Sequence, residues 1–176
     1  MPKLAIGAVL ILLWSVTAMA QTPYASMQSR EIKALSEQQI ADLRAGRGMG
    51  LALPAELNGY PGPAHLLELA DQIGLADGQR VAVSKLFEAM KMETIPLGER
   101  LVVQERSLDR LFANRTATPE NVAAATTAIG DTQGKLRGAH LKYHVSTIAI
   151  LEPRQIQRYA ELRGYAGGET QQRHRH

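Results

Sequence analysis

The stretch from Asp77 to Arg115 reads DGQRVAVSKLFEAMKMETIPLGERLVVQERSLDRLFANR and decides the fold. Its large apolar residues recur mostly at intervals of three, four or seven, the spacing of one face of an α-helix. They are Val83, Leu86, Met90, Leu97, Leu101, Leu108, Leu111 and Phe112. The pattern predicts one long amphipathic helix. Pro96 predicts a kink within it, because proline lacks the N–H donor and crowds the preceding turn.

A second long helix is predicted directly afterwards. In the sequence TPEN, Thr118 is a typical N-cap residue and Pro119 suits the first helical position. The helix is predicted to run to about Leu151, with an apolar stripe formed by Val122, Ala125, Ile129, Leu136, Tyr143 and Ile150. Because only a few residues separate the two long helices, we expect an antiparallel hairpin.

Three glycines lie four residues apart in the second long helix: Gly130, Gly134 and Gly138. Each costs up to about 1 kcal/mol relative to alanine in a helix. A close approach of a neighbouring helix would compensate for that cost. Since a single hairpin buries little surface by itself, we also expect a homodimer.

Shorter elements flank the hairpin. The segment 29–46, SREIKALSEQQIADLRAG, predicts a helix that stops at Gly46, and the Gly- and Pro-rich segment 46–63 predicts a loop. Short helices are predicted from about His65 and from Pro153. Because no strand-like alternation is sustained, the predicted fold class is all-α.

The first twenty residues, MPKLAIGAVLILLWSVTAMA, have the pattern of a secretory signal peptide. Lys3 precedes an apolar run, and Ala18 and Ala20 form a cleavage site after Ala20. An uncleaved anchor is the alternative, but the apolar run is shorter than the about 20 residues that span a bilayer. The resulting organisation is a signal peptide (1–20), an N-terminal helix and loop (21–64), a helical hairpin domain (65–165) and a disordered tail (166–176).

Composition excludes several function classes. The chain has no cysteine, which excludes disulfides, thiol catalysis and thiolate metal sites. Its 20 basic and 17 acidic residues give a small net charge of +3, which argues against a dedicated nucleic-acid binder. No spacing indicates a catalytic set, so we expect no enzymatic activity.

Three pieces of sequence share the form Leu, three residues, Gln, each near a predicted helix start. They are LSEQQ at 35–39, LADGQ from Leu75 to Gln79, and LEPRQ from Leu151 to Gln155. A glutamine at the third helical position can reach back to the free backbone N–H of the N-cap residue. The second piece opens the first long helix, and the third follows the second long helix.

This placement resembles the Spy/CpxP family of periplasmic proteins, whose hallmark is a pair of LTxxQ motifs in these two places. Here Ala76 and Glu152 replace the threonine, and Ser36 alone keeps a hydroxyl. The resemblance implies a cradle-like homodimer in the periplasm that binds unfolded or misfolded proteins without ATP during envelope stress. It also admits an inhibitory partner of a membrane sensor kinase, or a heavy-metal sensor or resistance protein.

Two histidines, His140 and His144, lie one helical turn apart in the sequence AHLKYH. Side chains at i and i+4 share a helix face and could bind Zn²⁺, Ni²⁺ or Cu²⁺. His65 and Glu68, also one turn apart, are the best candidates for further ligands. The alternative is structural: His140 belongs to the apolar stripe and His144 is solvated. No cofactor is required under the chaperone hypothesis.

Overall fold

The computed structural model describes residues 24–165, and this part of the chain is helical without any strand. A 3-10 turn at Ala25–Met27 precedes seven α-helices. These are α1 (Glu37–Arg44), α2 (Leu53–Glu56), α3 (Pro63–Glu68), α4 (Ala70–Ile73), α5 (Asp77–Ala113), α6 (Pro119–Ile148) and α7 (Pro153–Leu162). The predicted fold class and the long helix pair are therefore confirmed. Within 24–165, no helix is both long and apolar enough to cross a membrane.

The helices α5 and α6 pack along each other as an antiparallel pair. Near one end of the pair, the Gln79 amide donates to the carbonyl of Ile150. Further along, Glu93 of α5 contacts Lys142 of α6. Thr118 caps α6 as predicted, since its hydroxyl accepts from the N–H of Asn121. Pro96 lies inside α5, which continues on both sides of it; the kink stays a prediction.

Two apolar clusters stabilise the hairpin at different positions along its length. The first joins α1, α5 and α6 and consists of Ile32, Ile40, Leu43, Leu101, Val102, Ile129 and Leu136. The second joins α3, α4, α5 and α7 and consists of Leu66, Ala70, Ile73, Leu75, Val83 and Tyr159. The N-terminal segments and α7 therefore cover parts of the long pair that would otherwise face solvent.

The helix α1 crosses α5 at Gly98. A Cβ atom at this position would overlap the backbone carbonyl of Leu43. The chain then leaves α1 through Gly46, whose φ of +66° is readily adopted only by glycine. The predicted stop at Gly46 is thus confirmed, and Gly98 permits the contact that closes the first cluster.

The structure corrects three details of the sequence prediction. The first helix begins at Glu37, after its Ser36 cap, and the residues before it form turns. The predicted 46–63 loop contains the short helix α2, with Pro54 in its first turn, where proline is tolerated. Phe112 is exposed rather than on the buried face. The predicted signal peptide and tail lie outside the described residues.

The glycines of α6 do not pack against another helix of this chain. A Cβ atom at Gly130, Gly134 or Gly138 would meet no atom within 4 Å. The close approach expected from their spacing is therefore absent within the described part of the protomer. The glycine face is exposed to solvent. Each glycine therefore lowers the stability of the helix, and no contact within the described part of the protomer compensates for that cost.

Candidate functional site: a histidine-lined cavity

A cavity of about 550 Å³ lies between the two apolar clusters. Its walls come from the glycine-rich loop 46–50, from α3, from the middle of α5 and from α6. Both histidines of α6 line it, and so do His65 and Glu68 of α3. The structure thus brings all four predicted site residues to one cavity.

His140 is deeply buried, with 2 % of its surface exposed. Its ring packs against Gly48 of the loop, where a Cβ atom would lie 3.4 Å from Nδ1. Its Nε2 atom is buried without a hydrogen-bond partner among the described residues. Burial lowers the pKa of His140, and the nearby His144 lowers it further. The ring is therefore held in its neutral form around neutral pH.

His144 is buried as well, which contradicts the expectation that it is solvated. Its Nδ1 donates to the backbone carbonyl of Tyr60 at 2.7 Å and lies 3.7 Å from the Glu56 carboxylate. Its ring edge fills the space beside Gly62, where a Cβ atom would come within 2.7 Å. The carbonyl contact assigns the proton to Nδ1, because only an N–H can donate to it, and leaves Nε2 as an acceptor.

Glu56 was missed by the sequence analysis. This carboxylate is buried, although it lies in a segment whose Gly and Pro content predicted a loop. It accepts hydrogen bonds from the hydroxyls of Tyr159 and Tyr165 and from the backbone N–H of Gly62. Arg163 lies 3.6 Å away and compensates its charge. No spacing in the sequence signals this cluster, because its members lie about a hundred residues apart.

The Glu56 cluster connects the C-terminal helix to the cavity wall. Burial, followed by the bond to Glu56, raises the pKa of Tyr159 and keeps its phenol protonated as a donor. Arg163 and Tyr165, directly after α7, also line the cavity. One carboxylate therefore links α2, α6 and the segment after α7.

His65 and Glu68 bind each other across one turn of α3, with 3.0 Å between Nδ1 and the carboxylate. Both side chains are more exposed than the α6 pair. Within residues 24–165, no three His, Asp or Glu side chains are grouped closely enough to hold a metal ion. A structural zinc site needs four ligands and a catalytic site three. The α6 pair supplies two in this arrangement, and ligation by all four residues stays a prediction.

The motif glutamines form a second hydrogen-bonded arrangement away from the cavity. Gln79 donates to Gln155 at 2.8 Å, and Gln155 donates back at 2.9 Å. Each side-chain oxygen also accepts from the backbone N–H of its own N-cap residue, Ala76 or Glu152. We call this arrangement the glutamine clasp. It joins the start of α5 to the start of α7.

The leucines of the two motifs contribute to the second apolar cluster. Leu75 is buried in the second apolar cluster, and Leu151 packs against that cluster. The cap side chains that the threonine-bearing motif would supply are absent, and neither Ala76 nor Glu152 makes a side-chain cap bond. The third copy forms a complete capping box between Ser36 and Gln39 but takes no part in the clasp.

No protein-family model, curated protein or solved structure matches this chain.

Proposed function

We propose that the protein is a periplasmic, ATP-independent chaperone-like protein that binds partly unfolded clients. The observation that carries this proposal is a strip on α5 in which three exposed apolar side chains alternate with exposed charged ones. Val81, Met92 and Val103 are spaced by eleven residues, so they fall on one line along the helix. All three are exposed, and Met92 has 79 % of its surface accessible.

Charged residues share this line along the helix with the apolar side chains. Lys85 and Arg110 are exposed on the same side of α5, together with Glu88 and Glu99. Apolar side chains flanked by long charged stems suit loose binding of clients that expose both apolar and charged segments. Methionine adds a flexible, polarizable contact that adapts to different partners.

The family resemblance supports the same proposal. The paired motifs supply the two glutamines of the clasp. The signal-peptide pattern predicted for residues 1–20 agrees with a periplasmic role. Under this proposal the protein acts as a homodimer, and no nucleotide or catalytic residue is needed.

Suppression of client aggregation tests the proposal. A chemically unfolded client is diluted into buffer with EDTA and with residues 21–176 of the protein, and light scattering is followed. We expect suppression by the wild type. The triple variant Val81→Thr, Met92→Gln, Val103→Thr should suppress less.

A matched control changes three exposed apolar residues outside the strip: Leu57→Gln, Phe112→Gln and Val145→Thr. It should suppress aggregation as the wild type does. If the wild type does not reduce light scattering by the client, the chaperone proposal is contradicted. If both triple variants lose suppression equally, the strip is not the binding surface.

A second candidate function, metal sensing or binding, is favoured by the orientation of His144. A metal-ligating histidine commonly donates its other N–H to a carbonyl or carboxylate. The Nδ1 contact with Tyr60 has this form and leaves Nε2 available. His140 contributes a second Nε2 atom without a partner in the described chain.

Calorimetric titration with Zn²⁺ or Ni²⁺ tests this candidate. The double variant His140→Ala, His144→Ala should lose tight binding while it remains folded by circular dichroism. Changes at His65 or Glu68 should weaken binding only if α3 moves toward the α6 pair. Titration curves that are the same for wild type and double variant would refute the metal site.

A further inference from the structure

We propose that the cavity beside His140 binds a small organic anion with an apolar body, such as a medium-chain carboxylate. This inference is independent of client binding on the α5 strip, and it requires no metal. It rests on the size of the cavity, on its apolar wall and on the cations that line it.

The volume and the wall suit a small molecule. Ligand cavities typically measure about 300–1,000 Å³ and are mostly apolar with a few placed polar groups. At about 550 Å³ this cavity falls within that range. Phe87 and Met90 of α5, Leu53 of α2 and Pro63 of α3 contribute apolar surface. An apolar tail can be removed from water against these side chains.

The charges on the wall favour an anion. Lys91 and Arg163 line the cavity, and Lys91 has only a long 3.5 Å contact with Glu88. The Lys91 ammonium group also lies 5.2 Å from the centre of the Phe87 ring. A positive group therefore stands directly beside the apolar surface. That pairing matches a ligand with a carboxylate at one end of a hydrocarbon.

The acidic residues of the wall are already paired. Glu56 is bound by two tyrosines and lies beside Arg163, and Glu68 is bound by His65. Arg163 thus offsets the Glu56 charge, and Glu68 is held by its hydrogen bond with His65. Lys91 retains the least engaged charge among these groups, and it is the expected carboxylate contact.

His140 shapes the wall rather than contacting the ligand. Its ring lines the cavity and packs against Gly48. Its Nε2 atom has less than 1 Å² of accessible surface, so a ligand in the cavity does not reach it. The charge that selects the anion is therefore that of Lys91.

Calorimetric titration with sodium octanoate in EDTA buffer tests the proposal, with 1-octanol as the uncharged comparison. The wild type should bind octanoate with one saturable site. Octanol should bind at least about tenfold more weakly, because a charge-assisted hydrogen bond contributes about 1.5–3 kcal/mol.

Two lysines of α5 provide a matched pair of variants. Lys91→Met keeps the apolar stem but removes the charge, and it should weaken octanoate binding about tenfold or more. Lys85→Met makes the same change on an exposed side chain outside the cavity and should leave binding unchanged. Equal effects of both variants would overturn the assignment of the anion to the cavity.

A measurement on the wild-type chain avoids dependence on the folding of variants. Octanoate should shift the backbone amide resonances of Gly48 and Lys91, which line the cavity, with a smaller effect on Lys85, which lies outside it. No saturable octanoate binding, or binding that leaves the Gly48 and Lys91 resonances unmoved, overturns the proposal. The Val81, Met92 and Val103 triple variant should bind octanoate normally, so failure of the chaperone proposal is distinguishable from failure of this one.

Discussion

Gln79 and Gln155 hydrogen-bond to each other in both directions across the ends of α5 and α7, at 2.8 and 2.9 Å. Each amide nitrogen has a second acceptor, the carbonyl of Ile150 for Gln79 and of Gly74 for Gln155. Each oxygen accepts from a backbone N–H at a helix start. A charged or shorter side chain cannot supply this set of donors and acceptors, which explains why glutamine ends both motifs.

The first prediction concerns the clasp. Gln155→Met keeps the length of the side chain but removes its polar atoms, so Gln79 loses a partner and the N–H of Glu152 loses its cap. We expect a loss of about 2 kcal/mol in the free energy of unfolding. Urea denaturation followed by circular dichroism measures it.

Gln39→Met is the matched control for the clasp. Gln39 caps its own helix at Ser36 but is exposed and joins no second helix. Its substitution should cost about 0.5–1 kcal/mol, in the range of a lost cap. A double-mutant cycle of Gln79→Met with Gln155→Met should show coupling, and strictly additive effects would argue against the clasp.

The clasp also shows what local sequence can reveal. The Leu-x-x-x-Gln spacing predicted the cap bonds, because those join residues three positions apart. The reciprocal bond joins residues 76 positions apart, and its donor set depends on the fold. The helical periodicity similarly predicted α5 and α6, because their long apolar stripes give a strong local signal. It does not indicate whether another helix packs against the glycine face of α6.

The second prediction compares two helical glycines. Gly98→Ala places a methyl group against the Leu43 carbonyl of α1, where the rigid backbone cannot yield easily. We expect a loss of about 1–3 kcal/mol, as for overpacked cores. Thermal melting should show a clearly lower Tm.

Gly134→Ala adds the same methyl group to open space on α6. Alanine is favoured over glycine in a helix, so this variant should gain about 0.5–1 kcal/mol. A drop in Tm that depends on protein concentration would instead indicate that the glycine face is covered by a second copy.

The third prediction concerns Glu56. Glu56→Ala removes the acceptor of Tyr159 and Tyr165 and leaves Arg163 without its nearby carboxylate. Breaking a buried charged cluster costs about 3–5 kcal/mol. We expect destabilisation of this size, together with faster amide hydrogen exchange in α7.

Glu68→Ala provides the control for Glu56. This carboxylate also lines the cavity, but its side chain is well exposed and bonds to a half-exposed histidine. Its loss should change stability by less than about 1 kcal/mol. Equal effects of the two substitutions would show that the Glu56 cluster does not stabilise the C-terminal helix.

Some features of the cavity can be predicted from local sequence and others cannot. His140 was placed on the apolar stripe because its position follows the helical period from Leu136. The burial of His144 depends on Tyr60 and Gly62, which belong to a segment predicted only as a loop. Glu56 is buried because distant tyrosines and an arginine converge on it, and no local pattern carries that information.

The last prediction uses pH. Glu105 is 9 % exposed on α5, and burial raises its pKa. The folded state therefore keeps the proton to a higher pH than the unfolded state does, so ionised Glu105 destabilises the fold above its folded pKa. Glu105→Gln should increase the free energy of unfolding at pH 7 by about 1 kcal/mol, and the Tm should rise accordingly. The gain should shrink as the pH falls toward 4.5, where the wild type also becomes protonated.

Glu93→Gln should give the opposite sign. The hydrogen bond from Lys142 lowers the pKa of Glu93, so its ionised form stabilises the fold above pH 4.5, and this contribution is lost as the pH falls through the folded pKa. The pair is half-exposed, so the loss at neutral pH should stay below about 1 kcal/mol. Thermal melts of both variants between pH 4 and pH 8 should therefore diverge from the wild type in opposite directions. Shifts of the same sign would show that burial does not govern Glu105.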